Sequence, residues 1–75
     1  MAELPRAGIR RLLESAGAER MSQEAVVSAR DIVEQFAQKL GDVACTFCEH
    51  AGRKTLSKDD IRKAAKTLEE SKGFF

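Results

Sequence analysis

Apolar residues recur along this chain in three blocks, and the spacing in each is helical. In the first block Ile9, Leu12, Leu13 and Ala16 fall at i, i+3, i+4 and i+7, the signature of one helix face. Pro5 suits a first helical position, where its fixed φ is preorganised and its missing N–H would have had no partner. A helix is expected over residues 5–15. The sequence Ala16-Gly17-Ala18 stops it, with Gly17 free to adopt the left-handed conformation of a helix cap.

The second block is much longer. Val26, Ala29, Val33, Phe36, Leu40, Val43 and Phe47 are spaced by three and four, and Val27, Ile32, Ala37, Ala44, Cys45 and Cys48 widen the stripe. Ser22 is the N-cap candidate, with Glu24 in the favourable first turn. The expected helix runs over residues 22–50, a rod about 40 Å long at about 1.5 Å per residue. Gly41 inside it costs roughly 1 kcal/mol relative to Ala, or else permits a close helix crossing. Gly52 ends the rod. Ser57-Lys58-Asp59-Asp60 then reads as a capping box with Asp in place of the usual Glu, opening a third helix over residues 58–71 whose buried side is Ile61, Ala64, Ala65 and Leu68. Residues 72–75 form a short tail carrying Phe74 and Phe75.

Short, long, short is an awkward proportion. The long helix is apolar over a wider surface than two short neighbours can cover, whereas two such helices crossing each other can. At 75 residues the chain is one small domain, of a size that buries only about 60% of its unfolded surface. The pattern therefore predicts an obligate dimer whose monomer does not fold alone. Cys45 and Cys48 do not offer another source of stability, because at i and i+3 of one helix they cannot readily close a disulfide. No apolar run reaches about 18 residues and no apolar signal core stands at the N-terminus, so the expectation is a soluble, intracellular protein without a membrane span.

Net charge is +1, which says little until its distribution is read. Residues 1–20 carry four Arg against three Glu; residues 24–49 carry two cations against five acids; residues 50–58 carry Arg53, Lys54 and Lys58 with no acid. Positive charge is focused in the segment His50-Ala51-Gly52-Arg53-Lys54-Thr55 and among the N-terminal arginines. Cations beside a hydroxyl in a loop suit phosphate oxygens.

The opening Glu3-Leu4-Pro5, the loop Ala16-Gly17-Ala18-Glu19-Arg20 and the segment from His50 to Ile61 together resemble the histone fold, most closely the tail-less archaeal histones, over residues 2–68. The resemblance implies an all-α handshake dimer in which each first loop lies beside the partner's second loop, and a convex face that receives double-stranded DNA at three places. Arg20 then resembles the arginine that enters the minor groove. Lys54 and Thr55 match second-loop contacts to phosphate, and Arg11 matches a first-helix phosphate contact, with Arg10 and Lys58 adding weaker ones; Arg6 lies nearby. Arg53 and Asp60 resemble an internal salt bridge that holds the second loop to the third helix. Phe47 and His50 match a contact between dimers, where the histidine faces Asp60 of a neighbour. The implied partners are DNA, the chain itself as homodimer, tetramer or longer stacks, and a histone paralogue; the implied location is cytoplasmic, on the chromosome.

Other readings compete. Cys45, Cys48 and His50 supply three metal ligands at best, short of the four of a structural zinc, so the cysteines are expected to pack as small apolar groups and no metal or other cofactor is expected. No Ser-His-Asp set, phosphate-cradling glycine loop or carboxylate pair is present, which argues against an enzyme. The main rival is a histone-fold heterodimer member of a transcription or regulatory complex with weak or no DNA binding; the joint presence of Arg11, Arg20, Lys54 and Thr55 favours the DNA-compacting reading.

Overall fold

Capping groups supplied by the sequence bound the helices of this protein. The computed structural model describes residues 3–71, which form α1 (Arg6–Ser15), α2 (Gln23–His50) and α3 (Lys58–Glu70), with no strand among the described residues. This is the all-α, short-long-short order of the histone fold. The expected tail, Lys72 to Phe75, lies outside the described residues.

The boundaries differ from expectation by single residues, for local reasons. Pro5 is the N-cap of α1, not its first helical residue: its extended backbone (φ −72°, ψ 137°) keeps it outside. Its carbonyl still accepts the Ile9 N–H at 3.4 Å. Ser22 likewise stays outside α2, where its Oγ accepts the Ala25 N–H at 3.0 Å and satisfies an amide that has no helical partner. α3 ends at Glu70, and Ser71 is its C-cap, its N–H still bonded to the Thr67 carbonyl at 3.0 Å.

Both ends that carry glycine close in the same way. The Gly17 N–H bonds Glu14 O at 3.0 Å and the Ala18 N–H bonds Leu13 O at 3.0 Å; at the end of α2 the Gly52 N–H bonds Glu49 O at 3.0 Å and the Arg53 N–H bonds Cys48 O at 3.1 Å. This pair of reversed bonds is the Schellman motif, and it needs a left-handed residue at its centre. Gly17 (φ 111°) and Gly52 (φ 71°) supply it.

Two compact units divide the chain, residues 1–35 and 36–75, and α2 contributes to both. In the first, Ile9 and Val26 are buried. The segment before α1 is tied down by the Glu34 carboxylate, which accepts the N–H groups of Glu3 and Leu4, the latter at 2.8 Å. Leu12 does not join the buried face that its spacing from Ile9 suggests: it is 66% exposed, and Ile32 and Val33 on α2 are 45% and 42% exposed. In the second unit the buried residues are Ala44 and Cys48 of α2 and Ala64, Leu68 and Asp60 of α3. Periodicity gives Ala44 and Cys48 only the margin of the α2 stripe. They are nonetheless its buried part in this unit, while Leu40, Val43 and Phe47 keep partial exposure. Gly41 meets no close packing among the described residues, since a Cβ built there has no neighbour within 4 Å.

The glycines separate into two classes that substitution distinguishes. Gly52→Ala places a Cβ on a left-handed residue and should lower stability by about 1–2 kcal/mol. Gly41→Ala, in a helix interior with open space, should raise it by about 0.5–1 kcal/mol. Urea titration of both variants checks this. A loss of stability in Gly41→Ala would reveal a second chain packed against that position.

Candidate nucleic-acid interface

The site is built around one buried carboxylate. Asp60 is the third residue of α3 and is 1% exposed. As the acidic member of the capping box it accepts the Ser57 N–H at 2.9 Å on Oδ2, while Ser57 Oγ accepts the Asp60 N–H at 3.3 Å. A carboxylate removed from water needs a cation. Arg53 provides it in bidentate form, Nη1 to Oδ2 and Nη2 to Oδ1, both at 2.8 Å. The Arg53 side chain remains 43% exposed and closes over Asp60 from the solvent side. Its hydrogen bonds, followed by the Ser57 N–H, hold the Asp60 carboxyl well below the usual carboxylate range against the opposing effect of burial. The same bond raises the Arg53 guanidinium above its ordinary value.

Arg53 also fastens its own loop. Nη1 donates to the Thr55 carbonyl at 3.3 Å. From the helix side the Cys48 thiol lies 3.3 Å from the carbonyl oxygens of both Arg53 and Thr55. The sequence suggests apolar packing alone for the two cysteines. Cys48 is buried as that expectation requires, but it is also a hydrogen-bond donor, and Cys45 is exposed. Both line an open groove with Glu49, Arg53, Lys54 and Leu56.

With Arg53 engaged, the cations left at this end of the second unit are Lys54 and Lys58. Both are exposed, as is Thr55. Among the described residues no hydrogen bond or ion pair occupies the side chains of Lys54, Thr55 or Lys58. In the first unit Arg10 and Arg11 are exposed on α1 and Arg20 is exposed in the loop that Gly17 opens. The structure thus places Arg53 with Asp60 and Thr55, and leaves the other predicted contact residues facing solvent within their own units.

His50 is the last residue of α2 and is exposed, while Phe47 is half-buried one turn earlier. Asp60, the residue expected to meet a neighbour's histidine, has both oxygens already engaged. A histidine reaching it would share an oxygen bonded to Arg53. Among the described residues no group of three His, Cys, Asp or Glu side chains is placed to hold a metal ion, so His50 does not complete a set with Cys45 and Cys48. No helix among the described residues is long and apolar enough to cross a membrane.

Three polar roles are not visible in the sequence. Glu34 captures backbone amides, Cys48 donates to backbone carbonyls, and Arg30, whose side chain is only 12% exposed, bonds the adjacent Asp31 at 3.2 Å. For Cys48 the sequence marks only the backbone: it stands five residues before Arg53, at the position whose carbonyl accepts the Arg53 N–H in a Schellman turn.

The depressed Asp60 pKa fixes a pH dependence. Its folded value lies below its unfolded one, so the stabilisation is complete above the ordinary Asp range and is withdrawn as pH falls through and below about 4. Asp60→Asn should be less stable than the parent at neutral pH, and its stability should change less between about pH 5 and pH 2. Arg53→Ala should lower the urea midpoint more than Lys54→Ala does, because it strands a buried carboxylate. Parallel pH profiles for parent and Asp60→Asn would contradict the ion-pair account.

Similarity to known proteins agrees with this geometry. Residues 2–65 match the family described as histone-like transcription factor (CBF/NF-Y) and archaeal histone. The chain is 47% identical over 66 residues to one of the subunits of archaeal histone HAN1 from Thermococcus zilligii, covering 88% of this chain and 98% of that protein. It is 36% identical over 64 residues to probable archaeal histone 3 of Methanocaldococcus jannaschii, covering 85% of this chain and 96% of that one. With three helices in short-long-short order, a second loop clamped by Arg53 on Asp60 and these relatives, the chain belongs to the family of archaeal histones and histone-like transcription factors.

Proposed function

We propose that this protein is an architectural chromatin component that binds and compacts double-stranded DNA with little sequence preference. The observation that carries the reading is the division of labour in the second loop. Arg53 is committed to Asp60 inside the protein, while its neighbours Lys54 and Thr55 face solvent, their side chains without partners among the described residues. A loop that keeps one cation for its own structure and presents an ammonium and a hydroxyl outward is suited to phosphate oxygens, which position a protein on DNA without reading its sequence. Arg20, in a loop of the same family type, supplies the side chain for a narrow minor groove. Arg11, Arg10 and Lys58 extend the cationic surface. No step of catalysis is assigned to any residue.

The binding unit in this reading is a dimer. Leu12, Ile32 and Val33 lie exposed in the first unit and Leu56 in the second, and a second copy of the chain covers apolar groups of this kind. Handshake pairing brings one protomer's first loop beside its partner's second, so that Arg20 and the partner's loop act on neighbouring phosphates. Phe47 and His50 then carry contacts from dimer to dimer, with Asp60 sharing its bonded oxygens. DNA association places the protein on the chromosome.

A second reading has one specific observation in its favour. The relative that is 47% identical is named as a subunit, so this chain also suits pairing with a histone paralogue, including within a transcription or regulatory complex.

Because phosphate neutralisation releases counterions, affinity should fall steeply with salt. The purified protein should shift random-sequence duplex at low salt. Replacing both Arg20 and Lys54 by Ala should weaken binding at every sequence tested and reduce the slope of log affinity against log salt by about one for each phosphate no longer neutralised. Equal affinity and equal slope for parent and double variant would remove these residues from the interface. A chain that folds and binds only when mixed with a different histone would favour the paralogue reading.

A further inference from the structure

Cys48 is buried and has no part in DNA contact, yet it touches the proposed contact loop more than once. Its carbonyl accepts the Arg53 N–H at 3.1 Å, and its thiol lies 3.3 Å from the Arg53 and Thr55 carbonyl oxygens. The Gly52–Arg53, Arg53–Lys54 and Thr55–Leu56 peptide units are therefore held from the helix side by one residue. From the other side Arg53 reaches Thr55 O at 3.3 Å and Asp60 at 2.8 Å. We infer that Cys48 is a positioning residue for DNA binding: its thiol, donating to the Arg53 and Thr55 carbonyls, holds the Lys54-Thr55 segment in the conformation that meets phosphate.

Redundancy decides how much the thiol matters. Thr55 O retains the guanidinium when the thiol is removed, whereas the Arg53 carbonyl accepts from no other side chain among the described residues. A single S–H proton is shared between two acceptors, so each bond is weak, and together they restrict a short segment that has no helix or strand of its own. Only the side chain's donor is at issue. Alanine fills the buried position near the end of α2 with a good helix former and deletes the proton, whereas serine keeps a donor. This makes the Cys48→Ala and Cys48→Ser pair informative without a large change in packing.

The inference rests on the second loop being a DNA contact, and the test separates the two claims. Amide hydrogen exchange of Arg53, whose N–H is bonded to the Cys48 carbonyl, is measured first, without DNA, in parent, Cys48→Ala and Cys48→Ser. Exchange in Cys48→Ala should speed up several-fold at this amide while the amides of α3 keep their protection; Cys48→Ser should return toward the parent. Affinity for random-sequence duplex is then measured across salt. Cys48→Ala should bind about three- to tenfold more weakly, as expected for loss of a modest hydrogen bond, with serine restoring most of it. In a Lys54→Ala, Thr55→Ala background the same change should have no further effect on binding. Unchanged exchange at the Arg53 amide in Cys48→Ala overturns the positioning role whatever DNA does. Faster exchange with undiminished binding overturns its link to DNA, and a parent protein that fails to bind duplex overturns both the link and the DNA-binding reading while the exchange data still decide what the thiol holds.

Discussion

A carboxylate that is buried must be neutralised, and Asp60 imposes that requirement on everything around it. It sits at the first turn of α3 because the capping box needs an acceptor there, and it is 1% exposed in the unit where Ala64 and Leu68 of the same helix are also buried. The nearest solution is Arg53, seven residues earlier, which can reach Asp60 only if the chain reverses after α2. Gly52 at φ 71° permits that reversal. The ion pair therefore couples the end of one helix, the left-handed turn and the start of the next into one piece. Its consequence for function is indirect. By engaging Arg53 it sets which side chains remain for a partner, and these are Lys54 and Thr55 of the loop and Lys58 at the start of α3.

Much of this is legible in the residues because capping is local chemistry. Ser22, Gly17, Gly52 and the Ser57–Asp60 box each mark a helix end by side-chain type, and each functions there in the structure. Pro5 is displaced by one residue because its fixed φ is as compatible with a cap as with a first turn. The Arg53–Asp60 pair follows from resemblance to histones, since a spacing of seven across a turn does not by itself name an ion pair. The polar roles of Cys48 and Glu34 escape a reading of the sequence for a common reason: their partners are backbone groups, which leave no mark on residue type. Leu12 shows a different limit. Periodicity identifies an apolar face but not what covers it, and Leu12 stays largely uncovered within its own chain.

That open face connects structure to the proposed assembly. Small domains without disulfides or metals obtain stability from association. Leu12, Ile32 and Val33 offer the apolar surface for it. In the proposed dimer the same interface that stabilises the fold also places cationic loops from two chains side by side, so folding and DNA binding share one cause. The near-neutral net charge of +1 fits this arrangement, since affinity then comes from where the cations stand and not from their excess.

In the proposed dimer one chain alone is incomplete. Sedimentation equilibrium of the purified protein, combined with circular dichroism at each concentration, decides whether the fold needs the second copy. The predicted result is a helical species at twice the 8.3 kDa chain mass or a multiple of that, losing helix as dilution separates the protomers. A helical, cooperatively folded species at the mass of a single chain would contradict it.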